Sequence, residues 1–280
     1  MMSAPSIPTV PMPDYDHLLE PVLALAEDAG AAILPIYRGD DFDVSHKDDD
    51  SPLTAADLAA HRVIDAGLAD LAPDIPRLSE EGGEVPYATR HGWRRYWLID
   101  PLDGTKEFIK RNGQFTVNIA LIEDGEPVLG VVHAPDLGAS WYGSVGHGAF
   151  KRTDGAAPEP LHTVVAHTDK PRVLVSRSHR GPDVDALLER LPDYEPVVMG
   201  SSLKFCVIAE GEADFYPRLG PTSEWDTAAG HAVLAAAGGD VVDIEGRRLR
   251  YNTKDSLLNP YFLAFGDTSH DWLKYLPEEE

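Results

Sequence analysis

From Tyr15 to Arg38, apolar side chains recur at Leu18, Leu19, Val22, Ala26, Ala29 and Ile33, a three-and-four spacing that predicts an amphipathic helix. A charged loop, Asp40 to Ser51, separates it from a second helical stretch that begins near Thr54 and runs to about Leu71. The period then shortens. Ile75 to Ser79 reads as a strand ended by Glu80-Glu81-Gly82-Gly83, and Tyr96 to Ile99 as an apolar strand that meets a turn at Pro101 and Gly104. A short helix is expected after Thr105. Phe115 to Ile122 and Val128 to His133 are apolar runs joined by Asp124-Gly125, a hairpin signal, and Ser140 to Tyr142 and Ala149-Phe150 continue that sheet.

Beyond Thr153 to Pro160, a stretch rich in Gly, Ala and Pro, the chain alternates. Strand-like Arg172 to Ser176, Pro196 to Met199 and Ala213 to Pro217 precede helix-like Val184 to Leu191, Ser202 to Ala209 and Asp226 to Ala237. Gly238-Gly239 stops the last helix, and Val241 to Ile244 and Tyr261 to Phe265 read as closing strands. The expected class is α+β. A loose tail occupies residues 1–13, an antiparallel-rich N-terminal lobe 14–158, and an alternating α/β C-terminal lobe 159–280.

Charge narrows the partners. Lys plus Arg number 24 against 47 Asp plus Glu, a formal net charge of −23, which argues against nucleic acid or an anionic membrane bound through a basic surface. An acidic chain that handles phosphate must gather positive charge locally, from metal ions, helix N-termini or a few placed Lys and Arg. Cys206 is the single cysteine, so no intrachain disulfide forms and a reducing compartment fits. No apolar run approaches the ~20 residues of a membrane span. Met1 to Pro13 lacks a basic segment followed by an apolar core and reads as a tail, not a signal peptide. The cytoplasm is the expected compartment, with peripheral attachment on the cytoplasmic side of the inner membrane left open. A small-molecule substrate is expected, and no obligate protein partner.

Asp100-Pro101-Leu102-Asp103-Gly104-Thr105 carries the strongest chemical signal. Its Pro and Gly bring two carboxylates together, and such a pair persists when a proton or a cation sits between them. Two readings stand: an Asx turn capping the next helix, or a divalent-metal site with magnesium the first choice. In the second, the Leu102 carbonyl is a further ligand, and the Gly104 and Thr105 amides cradle an anion. Glu80 is favoured over Glu81 as the inward acid of its pair, because neighbours in extended chain point to opposite sides. Asp226 stands at the head of a helix, as a cap or as a ligand pushed toward a site by the small residues Ala228, Ala229 and Gly230. Asp57 is a surface acid or a group that orients a hydroxyl. Ser202 and Lys204, in Gly200-Ser201-Ser202-Leu203-Lys204, suit either helix capping or anion binding, and Arg218 is a further anion clamp. The chain has no G-x-S-x-G elbow, H-E-x-x-H pair or P-loop.

Taken in order, Glu80-Glu81, Asp100 to Thr105 and Trp225 to Gly230 resemble the signature of the inositol monophosphatase superfamily, over about Leu18 to Phe265. The resemblance implies a layered α/β/α/β/α sandwich of the inositol monophosphatase and fructose-1,6-bisphosphatase type, and a magnesium-dependent, lithium-sensitive phosphomonoesterase. Ser51 to Asp57, Asp103 to Phe108, Gly200 to Phe205 and Tyr216 to Pro221 further resemble the bacterial 3′(2′),5′-bisphosphate nucleotidase branch. That branch implies hydrolysis of adenosine 3′,5′-bisphosphate to AMP and phosphate, with a link to sulfate assimilation; whether 3′-phosphoadenosine 5′-phosphosulfate is also hydrolysed is left open. An inositol monophosphatase or another sugar-phosphate phosphatase with the same metal core is the alternative. By position, the resemblance assigns one magnesium to Glu80, Asp100 and the Leu102 carbonyl, a second to Asp100, Asp103 and Asp226, and a third near Glu80. Glu80, Thr105 and Asp57 become the catalytic group, with Thr105 oriented by Asp57 toward water. Leu102, Asp103, Gly104, Thr105 and Asp226 fall beside the scissile phosphate. Ser202 and Lys204 fall at the nucleotide's second phosphate, and Arg218 is a further substrate-binding residue. Leu53 and Glu224 stand where side chains vary without consequence.

Overall fold

The computed structural model describes residues 15–39, 45–46, 52–175 and 181–277. The expected tail, most of the charged loop 40–51 and the end of the strand expected at Ser176 lie outside them. Helix α1 (Asp16–Tyr37) follows the predicted stripe and buries Leu19, Val22, Ala26 and Ile33. After the short strands β1 (Ser45–His46) and β2 (Pro52–Leu53) comes α2 (Ala55–Leu71), started by Thr54 in a capping box with Asp57. Strand β3 (Arg77–Ser79), helix α3 (Tyr87–Arg90), β4 (Arg95–Asp103), α4 (Thr105–Ile109), β5 (Thr116–Glu123), β6 (Glu126–Ala134), β7 (Ala139–Ser144), β8 (Gly148–Thr153) and β9 (Glu159–Leu161) complete the first half. Strands β3 to β9 lie side by side in sequence order as one seven-stranded sheet, antiparallel except for β3 against β4.

The second half holds β10 (Arg172–Val175), α5 (Pro182–Glu189), β11 (Glu195–Val198), α6 (Leu203–Ala209), β12 (Phe215–Arg218), α7 (Glu224–Ala236), β13 (Asp240–Asp243) and β14 (Phe262–Phe265). Its sheet runs β11-β10-β12-β14-β13. Only the β10 pairings are parallel; β14 pairs antiparallel with both its neighbours, so the alternating pattern closes as a mixed sheet.

Three apolar clusters show the stacking. Ile33 and Ile64 of α1 and α2 pack on Trp97 and Ile119 of the large sheet. Leu98 and Ala120, on that sheet's other face, share a core with Phe205 of α6, Val233 of α7 and Phe262 of the small sheet. Phe215 and Leu263, on the far face of the small sheet, meet Leu187 of α5. The order is therefore α/β/α/β/α, as expected. Strands covered on both faces read as continuous apolar runs, which is why β5 is buried along nearly its whole length. Helix α7 lies close on the large sheet at Gly130, where a Cβ would stand 2.3 Å from the Ala229 carbonyl oxygen. Among the described residues, no helix is long and apolar enough to cross a membrane.

Candidate active site

Residues three apart on a regular strand point to opposite faces. In β4 they do not. Asp100 pairs with Asn118 and Asp103 with Thr116, so three steps on β4 match two on β5, and the extra residue is a bulge. Strand β4 thus continues where a turn was expected, with Pro101 at the irregularity, where the missing N–H is tolerated. The Asp100 Oδ1 accepts the Leu102 N–H at 3.0 Å, which fixes the carboxylate over the bulge. Gly104 then takes φ +89°, a left-handed conformation that suits glycine, and a Cβ there would meet the Gln114 carbonyl oxygen at 3.1 Å.

Asp226 arrives from the other half of the chain. Helix α7 begins at Glu224 behind the cap Ser223, so Asp226 is its third residue and not the cap. Its Oδ2 accepts the Ser223 N–H at 2.9 Å. Asp100, Asp103 and Asp226 each place a carboxylate oxygen within 4.8 Å of the others. Burial first, then the charge of Glu80 and the other two aspartates, pushes the Asp100 carboxyl well above the usual range. Burial and Asp103 do the same to Asp226. Burial also raises Asp103, opposed by the Lys204 ammonium and the Ser202 hydrogen bonds. Glu80 faces Asp100 and lines the same cleft, while the charge of Glu81 bears on Asp57.

The cleft has room for about 280 Å³. All the predicted site residues line it except Asp57 and Ser202, which lie behind it. Asp57 is fully committed: its Oδ2 accepts the Thr54 N–H at 2.8 Å and hydroxyl at 2.5 Å, and its Oδ1 lies 3.5 Å from Thr105 Oγ1. Burial pushes its carboxyl up to about 6, against the pull of the Thr54 hydrogen bonds. Ser202 was expected at a phosphate. Its N–H and Oγ instead contact Asp103 Oδ2 at 2.6 and 2.9 Å, and its Oγ accepts from Asn118 Nδ2 at 2.8 Å and lies 2.6 Å from the Asp226 carbonyl oxygen. It ties β4, β5 and α7 together. Its neighbour Ser201 lines the cleft instead, with a buried hydroxyl that has no hydrogen-bond partner among the described residues.

Two buried cations share the cleft. Lys204 is buried, with Nζ 2.9 Å from the Ser201 carbonyl oxygen and 5.4 Å from the centre of the Tyr216 ring. Burial pulls its pKa down to about 8, while Asp103 holds it up. Arg218 donates from Nη2 to the Pro221 carbonyl at 2.7 Å, and its Nε is buried without a partner among the described residues.

Sequence reasoning missed the support behind these groups. Asn118 was a legible signal, a lone amide inside an apolar run. Glu224 is not interchangeable: it is 1 % exposed, accepts the Asn252 N–H at 2.9 Å, and burial pushes its carboxyl up to about 7. Asn252 in turn accepts from buried Arg90 at 2.5 Å. These partners lie far apart in sequence, so no local spacing announced them.

The sequence matches the inositol monophosphatase family over residues 14–271. The chain belongs to that family. Similar curated family members include the 3′(2′),5′-bisphosphate nucleotidase CysQ of Salmonella typhimurium, 52% identical over 246 residues that cover 88% of this chain and 98% of that protein. The CysQ of Escherichia coli strain K12 is 51% identical over 249 residues, with the same coverage of both chains. Among solved structures of the family, CysQ from Bacteroides thetaiotaomicron superposes with a TM-score of 0.77 at 42% identity, covering 88% of this chain and 96% of that one. An IMPase from Thermotoga maritima superposes at 0.75 with 27% identity, covering 93% and 96%.

Proposed function

We propose that this chain is a magnesium-dependent 3′(2′),5′-bisphosphate nucleotidase that hydrolyses the 3′-phosphate of adenosine 3′,5′-bisphosphate, giving AMP and phosphate. One observation carries the reading: a cleft that gathers three carboxylates at one place, Asp100 buried and Asp103 and Asp226 partly buried, also holds two buried cations, Lys204 and Arg218. Carboxylates in mutual repulsion suit a hard divalent cation, and an all-oxygen donor set selects magnesium over softer metals. Glu80, Asp100 and the Leu102 carbonyl would hold one ion, Asp100, Asp103 and Asp226 a second, and Glu80 a share of a third. Bound there, such ions supply Lewis-acid charge that acidifies water and offsets negative charge growing on the leaving oxygen.

The chain's own groups do the rest. The Thr105 hydroxyl, backed by Asp57, orients the attacking water and passes its proton toward the Asp57 carboxylate. The 3.5 Å separation of that pair is of the loose kind that tightens when substrate arrives. The water oxygen bonds to phosphorus as the bond to the ribose oxygen breaks, and the ribose oxygen takes a proton from solvent to leave as the 3′-hydroxyl of AMP. The Gly104 and Thr105 amides face the scissile phosphate. Lys204 and Arg218 meet the second phosphate, and they set a bisphosphorylated nucleotide apart from a monophosphate.

Phosphate release with magnesium tests this directly. Adenosine 3′,5′-bisphosphate is expected to outrun inositol 1-phosphate. Lys204→Ala should raise the KM for the bisphosphate about tenfold or more, since charge-assisted contacts are worth roughly 1.5–3 kcal/mol, and leave the monoester nearly unchanged. Preference for inositol 1-phosphate, or an unchanged KM in the variant, overturns the assignment.

A further inference from the structure

Asp226 is only as fixed as the first turn of α7, and buried polar groups outside the proposed reaction fasten that turn. Thr227 Oγ1 donates to the Glu224 carbonyl at 3.1 Å and accepts from Asn259 Nδ2 at 3.1 Å. One helical turn later His231 occupies the same face. The Tyr251 hydroxyl bridges the two, 3.3 Å from Thr227 Oγ1 and 3.0 Å from His231 Nδ1. On the far side, His231 Nε2 has no hydrogen-bond partner among the described residues, and the charged group it faces is Asp240 Oδ1 at 3.6 Å. That oxygen also receives the Val241 N–H at 2.8 Å and faces Arg248 Nε at 3.3 Å. Thr227, His231 and Tyr251 are each no more than 1 % exposed, so water does not compete for these groups.

Proton placement gives the chain a direction. Burial keeps the His231 imidazole neutral, with one N–H and one lone pair. The Asp240 carboxylate favours the N–H on Nε2, which leaves Nδ1 to accept and Tyr251 to donate. Having given its hydrogen to His231, the Tyr251 oxygen offers Thr227 only lone pairs, so the single Thr227 hydrogen is shared between the Tyr251 oxygen and the Glu224 carbonyl oxygen.

We propose that His231 and Tyr251 are positioning residues for Asp226: Asp240 sets the imidazole tautomer, the imidazole orients the Tyr251 hydroxyl, and that hydroxyl fixes Thr227 and the neighbouring carboxylate. The inference rests on Asp226 being a cation ligand. Calorimetric titration of the metal-stripped full chain with Mg²⁺ separates the two ideas. Absence of binding by the unaltered chain overturns the ligand reading, and the inference with it. Given binding, Tyr251→Phe is expected to weaken it about fivefold, the loss of one hydrogen bond of ~1 kcal/mol. A purely structural role lowers the melting temperature and leaves Mg²⁺ affinity where it was, and that result overturns the inference. His231→Asn, which keeps an acceptor near the Nδ1 position, should bind like the unaltered chain, whereas His231→Leu should match Tyr251→Phe; equal affinities for the two refute it. Should Tyr251→Phe not fold, the imidazole ¹⁵N spectrum decides. It is expected to show the Nε2–H tautomer in the unaltered chain and a shift toward Nδ1–H in Asp240→Asn. An Nδ1–H tautomer in the unaltered chain contradicts the proposal.

Discussion

Asp100→Asn is expected to lower turnover about a thousandfold and, at the same time, to raise the melting temperature of the metal-free protein. Both effects have one cause. Asp100 is 1 % exposed, and its carboxyl is driven up by burial and by Glu80, Asp103 and Asp226. The amide has the same shape and still offers an oxygen to the Leu102 N–H, so the bulge in β4 survives. Losing the charge relieves repulsion in the metal-free cluster and removes the ligand proposed to serve two cations. Turnover with saturating magnesium and thermal melts with chelator measure the two effects side by side. Near-normal turnover in the purified variant refutes the role given to Asp100. A lower melting temperature without metal refutes the argument about repulsion.

The second large effect is on the pH dependence of stability. Asp57, with its carboxyl pushed to about 6, and Asp100, Asp103 and Asp226, all raised, bind protons more readily folded than unfolded. The sign follows. Where the native state binds more protons, stability falls as pH rises, so the metal-free protein should become more stable as pH drops from about 7 toward about 4, the usual carboxylate range. Carboxylates with lowered values, such as Asp214 beside Arg172 and Asp240 beside His231, act oppositely below that window, and His133, His231 and His270, which burial holds low, act oppositely inside it as pH falls through about 6.5, so the raised carboxylates must outweigh them. Magnesium should reverse the slope. At neutral pH and about a hundred times its dissociation constant it should add about 2.7 kcal/mol, and that gain should shrink toward pH 5 as protons compete for the same oxygens. Thermal melts across pH, with chelator and with magnesium, check this. A metal-free protein most stable at neutral pH, or one indifferent to magnesium there, contradicts it.

Much of this was legible from the chain. Helices α1 and α2 and the hairpin of β5 and β6 follow from apolar period and turn chemistry, which are local. The aspartates of the cleft were legible because Pro101, Gly104 and the small residues after Asp226 mark places where backbone and side chain are constrained together. What escaped was long-range. The bulge in β4 depends on how β5 pairs with it, and a strand's own sequence does not carry its partner's register. Ser202 looked like an anion contact because a hydroxyl at a strand-to-helix turn suits one; only the placement of Asn118 and Asp103 turned it inward. Glu224 looked replaceable because its partners, Asn252 and beyond it Arg90, come from distant segments.

The central claim, that Asp100, Asp103 and Asp226 converge to hold divalent cations, is tested most directly by anomalous scattering from a crystal of the full chain soaked in Mn²⁺. Strong peaks about 2.1 Å from oxygens of those three carboxylates are the expected result. Peaks confined to other acidic side chains, or a cluster that stays vacant at high Mn²⁺, would contradict it.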